Sequence, residues 1–264
     1  MWDSMFRIFT ELSSRPGLAR LTGAFAKSPI SRRLIPKFAA LYRIPQEEAE
    51  LPIGQYATLN EFFTRRLKSG ARIIDEADDT VVSPVDGTVV YAGTITAEQM
   101  FIVKGQTYSV SELLADSPHA VRYNGGFAAV IYLSPSNYHR IHSPVEGTVI
   151  EFDRVPGAVY PVNDRGMRLM PKVLSRNARL ITYIQHEHGL LALVKVGAMN
   201  VGSIQFTADD DRPPSEIGKG EELAYFEFGS TVVLLMEKGG FVPDESLQPG
   251  SALLMGERIG AYGR

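Results

Sequence analysis

The chain has 264 residues, of which 44% are hydrophobic and 22% are charged, a composition typical of a folded globular protein that buries a sizeable core. It contains no cysteine, which excludes disulfides, thiolate metal sites and thiol nucleophiles and leaves serine, histidine and aspartate as candidates for chemistry. No apolar run reaches the roughly 18 residues of a membrane span, and Asp3, Arg7 and Glu11 interrupt any signal-peptide core, so we expect a cytoplasmic protein.

The net charge of -3 hides a basic N-terminal segment. Residues 1–43 hold eight Lys or Arg against two acidic residues, a balance of +6 that leaves -9 for the remainder. Apolar side chains recur there at helical spacing, at Trp2, Met5, Phe6 and Phe9. A basic helix with an apolar stripe is typical of an anionic lipid interface, although a helix packed on its own domain has the same pattern. The apolar residues favour lipid over nucleic acid as the partner.

The chain starts with helical patterns and continues as a strand-rich body. Residues 1–43 predict two or three short helices interrupted at Pro16-Gly17, Pro29 and Pro36, and residues 58–68 predict another helix with Thr58 as N-cap. From residue 80 onward, short β-branched and aromatic runs alternate with Gly, Pro and Asp turns. The predicted strands are Thr80–Val82, Thr88–Ile95, Phe127–Leu133, Thr148–Phe152, Leu180–Ile184, Leu190–Val196 and Thr231–Met236. The sequence therefore predicts an α+β protein with a helical region (1–70) and a β-rich region (71–264).

A short sequence occurs twice within the β-rich region. Residues 83–90 read SPVDGTVV and residues 143–150 read SPVEGTVI, each a Pro/Gly turn that leads into a strand. A weaker echo links residues 220–225 with residues 256–261. We expect two related β-hairpin units packed as a sandwich-like core, with a recurring turn sequence as the simpler alternative.

Two of the five histidines, His139 and His142, directly precede the second copy of this repeat, whose first copy carries Asp86. On a helical turn the two rings would share a face, whereas on a strand they would point to opposite sides and serve different functions. Either a metal ion or a serine is a suitable partner for such a pair.

The serine candidate is Ser230, which follows Gly229 and precedes an apolar strand. Glycine leaves its own carbonyl open to attack by a neighbouring hydroxyl, but a serine hydroxyl needs a base, and the base is usually oriented by a carboxylate. Ser230, His142 and Asp86 supply these three parts. A plain turn remains the alternative interpretation of Gly229-Ser230.

Several motifs together resemble the phosphatidylserine decarboxylase family over nearly the whole chain. They are SPVDG at 83–87, YHRIHSP at 138–144, VGAMNVGSI at 196–204, FGST at 228–231, EFFTRR at 61–66 and VKGQTYS at 103–109. The resemblance implies that Asp86, His142 and Ser230 form a self-cleaving relay. Phe228 stands where the family motif has Leu.

The resemblance also implies the reaction and the cofactor. The precursor would cut itself between Gly229 and Ser230 into a β chain (1–229) and an α chain (230–264), and Ser230 would become a pyruvoyl group at the new N-terminus. This group would form a Schiff base with phosphatidylserine, which would release CO2 and give phosphatidylethanolamine. His139 is the candidate that protonates the resulting carbanion. Neither a metal ion nor pyridoxal phosphate is needed.

The expected partners follow from the lipid substrate. We expect a peripheral protein on the cytoplasmic face of the cell membrane, bound to an anionic lipid surface through residues 1–43. The two chains of one precursor would stay together, two copies would form a homodimer, and no nucleic acid would bind.

Three other functions are compatible with parts of this pattern. In a zinc peptidase, His139 and His142 would join His186, His188 and Asp86 in a metal site. In a non-enzymatic membrane-surface module, Gly229-Ser230 would be only a turn. A serine hydrolase would use the triad and leave its own backbone intact.

Overall fold

The computed structural model describes residues 22–198, 204–208, 210–227 and 230–263. Helices dominate the first part and antiparallel strands the rest, which confirms the α+β class with N-terminal helices and a β-rich core. The α-helices are α1 (Ile35–Tyr42), α2 (Leu59–Phe63), α3 (Val110–Leu113), α4 (Asp164–Leu169) and α5 (Val173–Arg176). The 3-10 helices are Pro29–Leu34, Gln46–Glu48, Ile53–Gln55 and Pro118–Tyr123. Residues 22–26 are also helical.

The described residues of the β-rich region form sixteen strands. They are β1 (Thr80–Val82), β2 (Gly87–Thr94), β3 (Met100–Val103), β4 (Gln106–Ser109), β5 (Phe127–Leu133), β6 (Arg140–His142), β7 (Gly147–Val155), β8 (Arg179–His186), β9 (Gly189–Gly197), β10 (Ile204–Phe206), β11 (Glu216–Ile217), β12 (Glu222–Phe226), β13 (Ser230–Met236), β14 (Phe241–Pro243), β15 (Ala252–Leu253) and β16 (Arg258–Tyr262).

The helix after the N-terminal region begins as its sequence predicts but ends early. Thr58 accepts a hydrogen bond from the backbone N–H of Glu61, and the Glu61 carboxylate accepts one from Ala57, so the capping box is present. The prediction of a helix over residues 58–68 is wrong at its C-terminal end, because α2 stops at Phe63. Arg65 leaves the helix to donate to two carbonyls of the 134–137 loop, and Leu67 forms an isolated bridge with Ala49.

The core has two layers of sheet. One sheet has eight strands in the order β11-β7-β8-β9-β13-β5-β2-β15, and two three-stranded sheets, β1-β16-β14 and β10-β12-β6, pack on one of its faces. The β3-β4 hairpin and helices α3 to α5 cover the opposite face. This arrangement places the ends of β5, β6, β12 and β13 close together.

The repeated sequence corresponds to a pseudo-twofold relation within the core. The eight-stranded sheet is symmetric about its central β9-β13 pair, so that β2 and β5 in one half match β7 and β8 in the other. Ser83 and Ser143 each donate through Oγ to the carbonyl two residues later. Their own carbonyls accept from Gly256 and Gly220, respectively, at 2.9 and 2.8 Å. Both sequence echoes are therefore pieces of one repeated unit.

Candidate active site

Ser230 is the first residue of β13, where it pairs with Leu133 of β5 and Gly197 of β9. Because side chains alternate along a strand, Ser230 faces the same inter-sheet layer as Val232 and Leu234. Ser230 is fully buried, and its Oγ has no hydrogen-bond partner in the described part of the chain. Gly229 and Phe228 lie outside the described residues. The predicted nucleophile is thus a buried hydroxyl on the first residue of a strand.

His139 is hydrogen-bonded to the end of β12, the strand that precedes Ser230 in the chain. Its carbonyl accepts a hydrogen bond from Phe226, four residues before Ser230, at 3.0 Å. Its Nδ1–H donates to the Asn137 carbonyl at 2.9 Å, and its ring packs on Phe63 with the centroids 4.0 Å apart. Burial, and secondarily the charge of Arg65, lower the pKa of His139 to about 3. The ring is therefore neutral, and its unpaired Nε2 carries the lone pair of a potential base.

His142 is held at both ring nitrogens. Nδ1–H donates to the Gly220 carbonyl at 2.8 Å, which leaves Nε2 to accept from the Tyr138 hydroxyl at 3.0 Å. Burial lowers the pKa of His142, although its bond to Gly220 opposes this effect. The backbone N–H of His142 donates to Pro84 at 2.9 Å, which joins this strand to the first copy of the repeat. His142 also lines a cavity of about 230 Å³.

The two histidines have separate surroundings. His142 is the last residue of β6, and His139 is the residue immediately before this strand. The two rings contact different residues, the Asn137 carbonyl for His139 and the Gly220 carbonyl for His142. Of the two geometries that the spacing allowed, the strand is the one observed. Each ring can therefore serve a different step of a reaction.

Asp86 is buried in a bidentate ion pair with Arg72. Arg72 donates through Nε to Oδ1 at 2.9 Å and through Nη2 to Oδ2 at 2.6 Å, and Oδ1 also accepts from the Met255 N–H at 2.9 Å. Arg72 binds Glu48 as well, at 2.9 Å. Among the described residues, Asp86 forms no hydrogen bond with His142 or Ser230, but its charge raises the pKa of His142 against the larger effect of burial. Asp86 therefore lies near enough to His142 to affect its pKa, but the two side chains are not hydrogen-bonded to each other.

Sequence reasoning missed three members of this site: Arg72, Tyr138 and Arg65. Tyr138 and Arg65 lie inside the YHRIHSP and EFFTRR motifs, but motif membership does not tell which side chains point inward. Arg65 is buried beside His139, and its Nε and Nη1 have no hydrogen-bond partner in the described part. Ser230, His139 and Arg65 thus each have at least one buried polar atom without a hydrogen-bond partner among the described residues.

The second histidine pair does not join the first. His186 and His188 pack around Tyr262, with the His188 and Tyr262 rings 4.3 Å apart, and they line a separate cavity of about 540 Å³. In the ranges that the structure describes, no three His, Asp or Glu side chains are grouped to hold a metal ion. The five-residue metal site of the peptidase hypothesis is therefore not assembled.

Trp2, Met5, Phe6 and Phe9 of the predicted lipid-binding helix lie outside the described residues. Within the described ranges, no helix combines the length and hydropathy needed to cross a bilayer.

Comparison with known proteins identifies the chain's relatives. The family model for phosphatidylserine decarboxylase matches residues 59–261. A phosphatidylserine decarboxylase proenzyme of Geobacillus kaustophilus is 43% identical over 258 residues, covering 98% of this chain and 96% of the relative. The proenzyme of Anoxybacillus flavithermus is 43% identical over 97% of this chain and 95% of its own length. That of Halalkalibacterium halodurans is 43% identical over 99% of both chains.

Proposed function

The chain belongs to the phosphatidylserine decarboxylase family and is an enzyme that decarboxylates phosphatidylserine; from this premise we propose how it makes its cofactor. The precursor cuts itself between Gly229 and Ser230, and Ser230 becomes a pyruvoyl group. The observation that carries the proposal is the buried Ser230 hydroxyl, which has no hydrogen-bond partner in the described part of the chain; His139 is hydrogen-bonded to Phe226, four residues before Ser230. Family membership sets aside the zinc peptidase, the non-enzymatic module and the serine hydrolase.

Self-cleavage uses the Ser230 hydroxyl against its own preceding peptide. A base removes the proton from Oγ, Oγ attacks the Gly229 carbonyl carbon, and the C–N bond breaks to leave an ester. Elimination then breaks the Cβ–Oγ bond and releases the Gly229 carboxylate. Addition of water and loss of ammonia convert the remaining unsaturated residue into the pyruvoyl group. The overall reaction consumes one water and releases one ammonia.

We assign the base to His142 and its support to Asp86, by correspondence with the family's motifs. The hydrogen bond from the His142 N–H to the Pro84 carbonyl and the effect of Asp86 on the pKa of His142 support this assignment. To act, His142 must exchange its bonds to Gly220 and Tyr138 for bonds to the relay partners. His139 is the competing candidate, because its Nε2 is already unpaired among the described residues.

After cleavage, the site decarboxylates the lipid head group. The pyruvoyl carbonyl supplies the electron sink that a carboxylate needs in order to leave as CO2. His139 then delivers a proton to the carbon that loses CO2. Its burial keeps water away from that carbon, and the Asn137 carbonyl holds the Nδ1–H, so that Nε2 is the atom that takes up a proton and then delivers it.

The two chains remain one folded unit after the cut. All seven residues of β13 are buried and pair with both β5 and β9 in the centre of the eight-stranded sheet. β15 pairs with β2, and β16 pairs with β1, so the α chain (230–264) is bound to the β chain (1–229) at three places. Association of two such units into a homodimer stays a prediction from the resemblance, which light scattering tests.

The N-terminal helices provide the surface of the protein that binds the membrane. Within the described part of residues 1–43, the apolar side chains of Ile30 and Leu41 are 67% and 74% exposed, beside the basic residues Arg32, Arg33 and Lys37. Each basic residue near an anionic leaflet contributes roughly 1 kcal/mol before screening, and apolar burial adds about 25 cal/mol per Å². We propose that residues 1–70 form a membrane-associating region on the cytoplasmic face and residues 71–264 the catalytic region.

Two alanine variants test the division of labour between the histidines. His142→Ala should remain uncut, whereas His139→Ala should be cut and then decarboxylate phosphatidylserine slower by a factor on the order of 10² to 10⁴. Cleavage is followed by denaturing gel and decarboxylation by CO2 release. A cut His142→Ala enzyme together with an uncut His139→Ala precursor would transfer the role of base to His139.

A further inference from the structure

Arg65 is a buried arginine that forms no ion pair in the described part of the chain, although Asp86 and Glu48 attract its charge. Only 2% of its surface is exposed. Nη2 donates to the carbonyls of Ser136 and Asn137, at 3.2 and 3.4 Å, and the guanidinium lies 5.5 Å from the Phe62 ring centroid. Nε and Nη1 are buried and have no hydrogen-bond partner in the described part of the chain, and no carboxylate there forms an ion pair with Arg65. Burial lowers the pKa of Arg65, although its charge is retained.

In other arginines of the same protein, carboxylates or backbone carbonyls accept hydrogen bonds from the guanidinium group. Arg72 is bound to two carboxylates, and Arg140 is paired with Glu222. Arg179 is 6% exposed and has no carboxylate partner in the described ranges, but its three nitrogens donate to four backbone carbonyls. Arg65 has neither arrangement. Because burying an unpaired charge is costly, its retention indicates that an anion is bound there during function.

The unpaired charge lies beside the reacting groups. The Asn137 carbonyl accepts from both Arg65 and His139, so the two side chains share one anchor. Arg66, the next residue, lines the cavity of about 230 Å³ together with Tyr138 and His142. Arg65 is therefore one residue away from the wall of this cavity and shares the Asn137 carbonyl with His139.

We propose that Arg65 binds the phosphodiester anion of the phospholipid head group and so determines specificity for a phosphate-bearing substrate; this rests on the proposed function. The head group also carries a carboxylate. An ion pair with that carboxylate would weaken as its charge moves onto carbon, and would therefore raise the barrier. The phosphodiester keeps its charge throughout, and guanidinium N–H groups suit its oxygens well.

Binding of this anion would also prepare His139 for its step. The charge of Arg65 lowers the pKa of His139 further than burial does alone. A phosphodiester beside Arg65 offsets that charge, so the proton affinity of His139 rises when substrate is bound. This is the direction needed for a residue that must hold a proton and then deliver it.

The first test measures binding without catalysis. In the uncut Ser230→Ala precursor, short-chain phosphatidylglycerol supplies the phosphodiester without amine or carboxylate, and short-chain diacylglycerol is the neutral control. Phosphatidylglycerol should raise the melting temperature of this precursor, and Arg65→Met should abolish the rise. Arg65→Met should melt no lower than its parent, because it removes an unpaired buried charge, whereas Arg179→Met should melt lower. An equal rise in both Arg65 forms would overturn the proposal.

The second test uses the cleaved enzyme and two substrates. Short-chain phosphatidylserine carries the phosphodiester, whereas O-decanoylserine keeps the amine and carboxylate and lacks phosphate. Arg65→Met should lower kcat/KM for the phospholipid about 10- to 100-fold, mainly through KM, as expected for the loss of a charged hydrogen bond. It should not lower the turnover of O-decanoylserine, because loss of the Arg65 charge raises the proton affinity of His139. Arg65→Lys should restore part of the loss.

Equal losses on both substrates, or no loss on either, would contradict phosphate recognition. Should Arg65→Met stay uncut, the melting test decides the proposal alone. Failure of the proposed function is a different result, since the wild-type chain would then remain uncut whatever residue occupies position 65.

Discussion

Replacing Asp86 with Asn separates the electrostatic role of this carboxylate from its shape. Asn keeps an oxygen that can accept from the Met255 N–H and from Arg72 Nε, both at 2.9 Å in the wild type. It puts an NH2 group where Oδ2 now accepts from Arg72 Nη2 at 2.6 Å, so two donors face each other. The substitution therefore removes one charge-assisted hydrogen bond and the negative charge, and little else.

The expected loss of stability can be bounded from these contacts. A hydrogen bond to a charged group contributes about 1.5–3 kcal/mol, and breaking a buried pair costs roughly 3–5 kcal/mol when the remaining charge has no other partner. Arg72 still binds Glu48, so we expect a loss of about 2–3 kcal/mol. The side chains of Asp86 and Arg72 are only 3% and 7% exposed, and solvent screening reduces this value little.

Two assays measure the two effects. Urea unfolding of the uncut precursor, made with Ser230→Ala, gives the stability change without interference from cleavage. The rate of cleavage is followed on denaturing gels after cell-free synthesis of chains that retain Ser230. Asp86→Asn should slow this rate by at least a factor on the order of 10², because the base loses its supporting charge.

Glu48→Gln is the matched control, because Glu48 is the other carboxylate on Arg72 and its side chain is 34% exposed. It should cost about 0–1 kcal/mol and leave the cleavage rate unchanged. Cleavage of Asp86→Asn at the wild-type rate would refute the relay. Equal slowing by Glu48→Gln would show that Asp86 acts by positioning Arg72.

Three further predictions concern pH, packing and membrane binding. The pKa of His139 is about 3 in the folded precursor against an ordinary 6.5, so the unfolded chain binds more protons between these two pH values. The free energy of unfolding should therefore fall below about pH 6.5, by up to about 1.4 kcal/mol per pH unit. In urea titrations at several pH values, His139→Gln should show a smaller loss. Gly147→Ala should lower the melting temperature of the precursor, because its Cβ would collide with the Gln185 carbonyl and cost roughly 1–3 kcal/mol, whereas Gly54→Ala, with open space around it, should have little effect. Ile30→Ser with Leu41→Ser should reduce cosedimentation with anionic vesicles, and binding indifferent both to these changes and to lipid charge would place the membrane surface elsewhere.

Much of the fold is readable from the sequence because local signals there agree with tertiary packing. The predicted strands at Thr80–Val82 and Phe127–Leu133 match β1 and β5 residue for residue, since each is a β-branched or apolar run between turn residues. The repeated Ser-Pro-Val turn predicted two related units, and the pseudo-twofold sheet contains them. Short strands such as β10 and β12 were not predicted, because they depend on pairing with distant residues.

The sequence names candidates for the reacting residues but not the side chains that contact them. Asp86, His142 and Ser230 stand in short motifs, so the sequence names them as candidates. The pairing of Asp86 with Arg72 joins residues 14 positions apart and depends on how the chain runs after α2. The helix expected over 58–68 would have carried Arg65 on a helix surface. Because the helix ends at Phe63, the Arg65 side chain points into the site instead. No local sequence pattern predicts this early end.

The most direct test of the account is the intact mass of the purified wild-type protein under denaturing conditions. We predict two chains, residues 1–229 and residues 230–264, the second lighter than a serine-initiated peptide by the mass of one ammonia. The same sample should elute as one species under native conditions, because β13 stays paired on both sides. A single uncut chain of 264 residues after prolonged incubation would contradict the proposed origin of the cofactor.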